Sequence, residues 1–207
     1  MGTSAGGNIA YQVGLRASTA VDDFKPLKIK GLVLHHPFFG GSQRTKSVLR
    51  LVNNPVLPQS VSDLMWKLAL PIGVDRDREY CNLTVGGGTD HHFDQIRKLG
   101  WWVLVIGCDG DPLIDRQREL VEIVNKKGVL VEAQFNKGDY HGVDLMDATK
   151  ANPLFEFLSH FIKPRFALWR PYYRRYFKVL LMTLFLKNFV EFTYHYSKEL
   201  LSSLNKS

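Results

Sequence analysis

The chain has 207 residues, 45% of them apolar and 23% charged, an ordinary balance for a soluble globular protein with room for one sizeable core. Its net charge of +7 is uneven: from Pro164 onward eight basic residues stand against two acidic ones, and the preceding 163 residues carry only +1, which argues against a nucleic-acid-binding body. Two cysteines, Cys81 and Cys108, are too few for a disulfide scaffold and fit no common zinc spacing; with no basic-then-apolar leader in the first thirty residues, a reducing, cytoplasmic setting is expected.

Residues 4–17 read as a helix that Ser4 can cap, with Ile9, Ala10 and Val13 forming its apolar face. The run from Ile29 to Leu34, bounded by Pro and Gly, has the unbroken apolarity of a buried parallel strand. A helix is expected over 60–71, with Val61, Leu64, Met65 and Leu68 on one side. Residues 73–92 are loop-like, and the "DRDRE" run within them is most simply a solvated loop; a short helix then ends at Gly100. "WWVLVIGC" (101–108) is a second apolar strand. It is followed by an amphipathic helix over 115–128 that closes on basic residues and Gly. "VLVEAQFN" is a third strand, and "ANPLFEFLSHFIK" a last helix. Strands alternating with helices predict an α/β fold with a parallel sheet of about three strands, thin for the cover that both its faces need.

From Pro164 the character changes: residues 164–207 hold 11 of the 25 aromatic residues, interleaved with Arg and Lys. The apolar run Val179–Leu186 is eight residues long, far below the ~20 that span a bilayer. This basic aromatic tail reads as an interfacial amphipathic segment in contact with a membrane, as an extra helix on the body, or as an appended sequence without a fold.

Chemistry-bearing residues follow the strands in order. Gly2-Thr3-Ser4-Ala5-Gly6 is a G-x-S-x-G pattern, which normally sets a serine on a sharp turn between strand and helix. Only one residue precedes it, so no strand is expected before Ser4. A serine hydroxyl needs a histidine to accept its proton and a carboxylate to orient that histidine. "GCDGDPLID" places Asp109, Asp111 and Asp115 after the second long strand, and "GDYHGV" places His141 after the third, where open α/β sheets collect their sites. Asp115 is read as the N-cap of the next helix and Asp109 as a solvated loop carboxylate. His35-His36 and His91-His92 raise the question of a metal. Neighbours on a strand point to opposite faces, so His35 and His36 should not share an ion, and no H-E-x-x-H pattern is present; no metal and no cofactor are expected.

These stretches match a known family. "SAGGNIAY", "GLVLHHPFFGGSQRT", "LPQSVSDLMWKLALPIGVDRDREYCN", "GWWVLVIGCDGDPLIDRQRELV" and "DYHGVDL" resemble the plant carboxylesterases of the hormone-sensitive-lipase-like α/β-hydrolase group. The resemblance spans roughly residues 2–163, making residues 1–163 the α/β-hydrolase body and 164–207 the tail. It implies hydrolysis of small carboxylic esters through an acyl-enzyme, with Ser4 as nucleophile, His141 as base, Asp111 as the triad acid and the Ala5 N–H as an oxyanion donor. Phe38, Phe39 and Trp66 line an acyl pocket on this reading and are plain core on the other. "VGGGT" (85–89) lacks the histidine of the family's oxyanion motif.

The family places five strands, part of a lid and a His-Gly-Gly-Gly oxyanion loop before the elbow, and its elbow usually carries Asp where Thr3 stands. The expectation is therefore the C-terminal part of the fold, N-terminally truncated, without the N-terminal strands. Two alternatives remain beside ester hydrolysis. One is a catalytically inactive relative acting as a binding module; the other is a dehydratase or cyclase of specialised metabolism on the same scaffold. The expected partner is a small-molecule ester.

Overall fold

The computed structural model describes residues 1–85 and 89–162. The chain divides into two compact units, 1–143 and 144–207. The basic aromatic tail and the Gly86–Gly88 run lie outside the described residues. Among the described residues no helix is long and apolar enough to cross a membrane.

The first unit is built on a four-stranded parallel sheet in the order β1-β2-β3-β4, with β1 at Gly2–Thr3, β2 at Gly31–His35, β3 at Trp102–Gly110 and β4 at Leu130–Tyr140. The central strands are the apolar runs of the sequence, and both are buried along nearly their whole length. Parallel neighbours need crossovers. Helix α1 (Ala5–Ser18) joins β1 to β2; α2 (Lys46–Arg50), α3 (Gln59–Ala69) and α4 (Asp90–Lys98) lie between β2 and β3; α5 (Ile114–Lys126) joins β3 to β4. The short helix α6 (Val143–Met146) follows β4. In the second unit α7 (Ala148–Ile162) starts earlier than the sequence suggests, because Asp147 accepts from the Thr149 N–H (2.8 Å) and hydroxyl (2.6 Å) at its entry.

A strand does precede Ser4. Gly2 and Thr3 pair in parallel with Leu34 and His35, and the Ser4 N–H continues the ladder to the His35 carbonyl at 2.9 Å. Two residues suffice because β2 next door is fixed by five-residue pairing with β3. β4 runs four residues beyond the sequence reading: an irregularity between Cys108 and Gly110 restores pairing at Gly110–Tyr140, and Asp109, exposed as expected but on β3 rather than in a loop, accepts from the Gly138 N–H at 2.9 Å.

The main core joins Leu32, Leu34, Val103 and Val105 of the sheet to Tyr11 and Leu15 of α1, Phe93 and Ile96 of α4, and Leu120 and Val124 of α5. The face of α1 differs from the expected one. Ile9 (62% exposed) and Val13 (55%) point outward, and Gly7, Tyr11, Gly14, Leu15 and Ser18 point in. Close approach decides this: a Cβ on Gly14 would stand 2.6 Å from Leu32, and one on Gly7 3.0 Å from Pro37. The helix lies down on its glycines. Leu68 of α3 is likewise exposed; Trp66 takes the buried position, with Val61 and Met65 packed beside it.

Candidate active site

Three strand ends converge. Ser4 follows β1, Asp111 follows β3 and His141 follows β4, all at carboxyl edges of parallel strands, where such sheets hold their sites. Ser4 sits in the left-handed region at φ 54°, unusual and strained for a non-glycine residue. Its backbone is tied on every side. Its carbonyl accepts from the N–H groups of Gly7 (2.9 Å), Asn8 (3.2 Å) and Phe38 (3.0 Å), and its own N–H donates to His35. The turn is so tight that a Cβ on Gly2 would collide with the Gly6 carbonyl, which is why glycine opens the pattern. Ser4 stands at the N-cap of α1, but its side chain makes no capping bond, contrary to the sequence reading.

The hydroxyl is turned to histidine instead. Ser4 Oγ lies 3.0 Å from His141 Nε2, and His141 Nδ1 lies 2.8 Å from Asp111 Oδ2. Asp111 is fully buried. Burial by itself would raise its carboxyl, but His141 and His36 outweigh that and hold it well below the usual carboxylate range. An ionised carboxylate only accepts, so His141 presents Nδ1–H to it and leaves the Nε2 lone pair facing the serine hydroxyl. The Leu113 N–H (2.9 Å) holds Asp111 Oδ1, and Gln117 Nε2 (2.9 Å) joins His141 on Oδ2. Ala5 is the first residue of α1, where the helix supplies no acceptor for its N–H.

Two partners of Asp111 were not singled out for this role from sequence. Gln117 lies on the inner stripe of α5 with Ile114, Leu120 and Val124, and a lone polar residue on an apolar stripe was the available signal. His36 Nδ1 lies 2.8 Å from Asp111 Oδ2. Adjacent strand residues should diverge, but β2 ends at His35, and His36 adopts φ 45°. The two rings therefore lie 4.3 Å apart, edge to face, correcting the expectation of opposite faces. His35 Nδ1 pairs with Thr3 Oγ1 at 3.1 Å, so Thr3 ties the elbow to β2. Among the described residues, ligand atoms of His36, Cys108 and Asp111 lie within 4.8 Å of one another. Burial pushes the Cys108 thiol well up, away from the thiolate a metal would take, and His36 and Asp111 are already bonded to each other.

Asp115 is not the N-cap of α5, which begins at Ile114; it accepts from the Ser47 N–H at 2.7 Å and so anchors α2. Phe38 stacks on Trp66 with centroids 5.1 Å apart, inside a satellite core with Leu57, Cys81 and Leu113. Phe39 belongs to the main core, edge-on to Tyr11 at 5.4 Å. Phe39 and Trp66 also border a shallow surface cleft whose lining includes Val48, Leu113, Arg44, Arg76 and Arg116 but none of Ser4, Asp111 and His141. Its arginines are committed elsewhere: Arg44 and Arg76 to Asp63, Arg116 to Glu119 and the Gln43 carbonyl.

Comparison with known proteins agrees with this architecture. Residues 1–145 match a family described as the alpha/beta hydrolase fold. The chain is 49% identical over 162 residues to Carboxylesterase 20 of Arabidopsis thaliana, covering 78% of this chain and 49% of that protein. It is 44% identical over 165 residues to a 3-O-acetylpapaveroxine carboxylesterase of Papaver somniferum, covering 78% and 50%. The chain thus spans about half the length of the curated relatives it matches. A thermostable esterase from Pseudomonas putida shares the fold with a TM-score of 0.56 at 23% identity, over 68% of this chain and 41% of that one.

Proposed function

The chain belongs to the α/β-hydrolase family, and from that premise we propose that it carries the nucleophile, base and acid of a serine carboxylesterase acting on small-molecule esters. The observation that supports this reading best is the unbroken hydrogen-bonded line from Ser4 Oγ through His141 to the buried Asp111. Ser4 Oγ attacks the ester carbonyl carbon while His141 Nε2 takes its proton. Asp111 stabilises the imidazolium without itself becoming protonated. The negative charge on the tetrahedral oxygen falls beside the N–H of Ala5; one such donor is worth about 10²–10³ in rate. Collapse of the intermediate expels the alcohol, protonated by His141, and leaves an ester on Ser4. Water activated by His141 then releases the acid by the same steps in reverse. Phe38, Phe39 and Trp66, the residues that the family resemblance points to for the acyl side, are buried core side chains and carry no part of this reading.

Labelling of the 207-residue chain by a fluorophosphonate probe, alongside p-nitrophenyl ester turnover, tests this. The reading requires labelling that disappears in Ser4→Ala. A folded chain that neither labels nor turns over ester refutes it.

A further inference from the structure

We propose that His36 is a positioning residue of the same site: it donates Nδ1–H to Asp111 Oδ2 and so fixes the oxygen from which His141 hangs. The inference rests on the reading of Ser4, His141 and Asp111 as a working triad.

The backbone is arranged for this contact. The His36 N–H donates to the Ile106 carbonyl at 2.7 Å, carrying the β2–β3 ladder one residue past the end of β2. At that residue φ turns to 45°, a strained value for a side chain with a Cβ. The turn swings the imidazole beneath the sheet edge to the carboxylate, where it is almost wholly buried. Its ring stands 5.3 Å from that of His141, edge to face, so both imidazoles reach one oxygen from different directions. Burial foremost, and then the neighbouring His35, push the His36 imidazole down to about 4, against the pull of Asp111. It is therefore neutral at pH 7. A neutral imidazole against an ionised carboxylate has one compatible tautomer, with the proton on Nδ1. His36 thus supplies a permanent donor that does not compete for the catalytic proton. It also disperses the charge of Asp111, setting how strongly the carboxylate holds the imidazolium of His141. The ionisable groups that bear on His36 include His35 and His141 beside Asp111, and Asp111, Asp139 and Asp109 bear on Cys108.

Two measurements on the full chain test this. The first is ¹⁵N-histidine NMR of the unmodified protein, which reads the tautomer directly. The Nδ1–H form of His36 at pH 7 is expected, and the Nε2–H form overturns the proposal without any variant. The second is the pH dependence of fluorophosphonate labelling in His36→Leu and His36→Asn. Leucine removes the donor, so the carboxylate is less neutralised, the imidazolium is held more firmly, and the acid limb should move up by about half a pH unit or more. Asparagine places an N–H near the same point and should restore the original limb. An unmoved limb in His36→Leu, or an equal shift in both variants, refutes the positioning role. Absence of labelling in the unmodified chain would instead strike the triad reading, and the tautomer would still be read.

Discussion

Asp111 and Asp63 are built alike and placed differently. Asp63, on α3, accepts a two-pronged bond from Arg44 (2.6 and 2.7 Å) and another from Arg76, and about a third of its side chain is exposed. Asp111 accepts from two imidazoles, an amide side chain and a backbone N–H, and none of it is exposed. Both carboxyls are held below their usual range against the upward push of burial. At Asp63 the opposing charges are full guanidinium cations, but the half-buried group is still reached by water, which screens them, and surface ion pairs contribute about 0–1 kcal/mol. At Asp111 the partners are weaker donors in a dry site, where each bond matters more and an unpaired group costs more. Full charge on the partners is therefore a poor guide to consequence; exclusion of water is the better one.

The largest expected effect separates the two aspartates outright. Asp111→Asn keeps the volume but offers His141 no full negative charge and invites the wrong tautomer. Labelling of Ser4 should fall by about 10⁴, the loss typical when a triad aspartate becomes asparagine. Asp63→Asn should leave the labelling rate within about twofold, since Asp63 has no bond to Ser4, His141 or Asp111. Comparable losses in the two variants, measured by gel-based probe kinetics, would break the contrast.

Acid sharpens it. His36 binds its proton less readily folded than unfolded, its value falling from 6.5 to about 4. The unfolded chain therefore takes up a proton first as pH falls. The stabilisation is present above about 6.5 and is lost as pH drops through that window to about 4, on the order of 1–3 kcal/mol. The Asp111 carboxyl, held low, contributes above the unfolded carboxylate value and gives up its share only in stronger acid. Urea midpoints between pH 7 and 4 should decline, and His36→Asn, which has nothing to titrate, should flatten that decline. An unchanged slope in His36→Asn would mean that the acid-sensitive element lies elsewhere.

The contrast also marks how much of the protein was legible from sequence. The two central strands follow from apolar runs and α5 from its amphipathic pattern and its basic, glycine-ended C-terminus; Ser4 follows from the G-x-S-x-G pattern, and Asp111 and His141 from the resemblance to the family. What escaped depended on tertiary contact. Helix α2 is five residues long, too short to stand alone. It is held by Asp115 and by the bond from Ser47 Oγ to the Pro112 carbonyl, 2.7 Å, neither of which has a local pattern. The buried face of α1 escapes a sequence reading because hydrophobicity points to Ile9 and Val13, whereas contact with Leu32 and Pro37 selects Gly14 and Gly7. The place of His36 escapes it too, because the alternation rule holds only while the strand continues, and the left-handed turn that ends it cannot be read from a His-His pair.

The smallest effect is the most pointed test of the opening contrast, because there the bonds look strongest. The two arginines on Asp63 tie α3 to the loops bearing Arg44 and Arg76, and a count of charged bonds would rank this the firmest polar contact in the unit. Water reaches the group, however, and the guanidinium and carboxylate are nearly as well served by solvent. Asp63→Asn should therefore cost no more than about 1 kcal/mol in urea unfolding at low salt. Molar sodium chloride should shrink even that difference, since the Debye length falls to about 3 Å. Unfolding curves of the two proteins at low and high salt measure both. A loss of several kcal/mol that persists in salt would mean that Asp63 behaves as a buried hub, and that exposure had misjudged it.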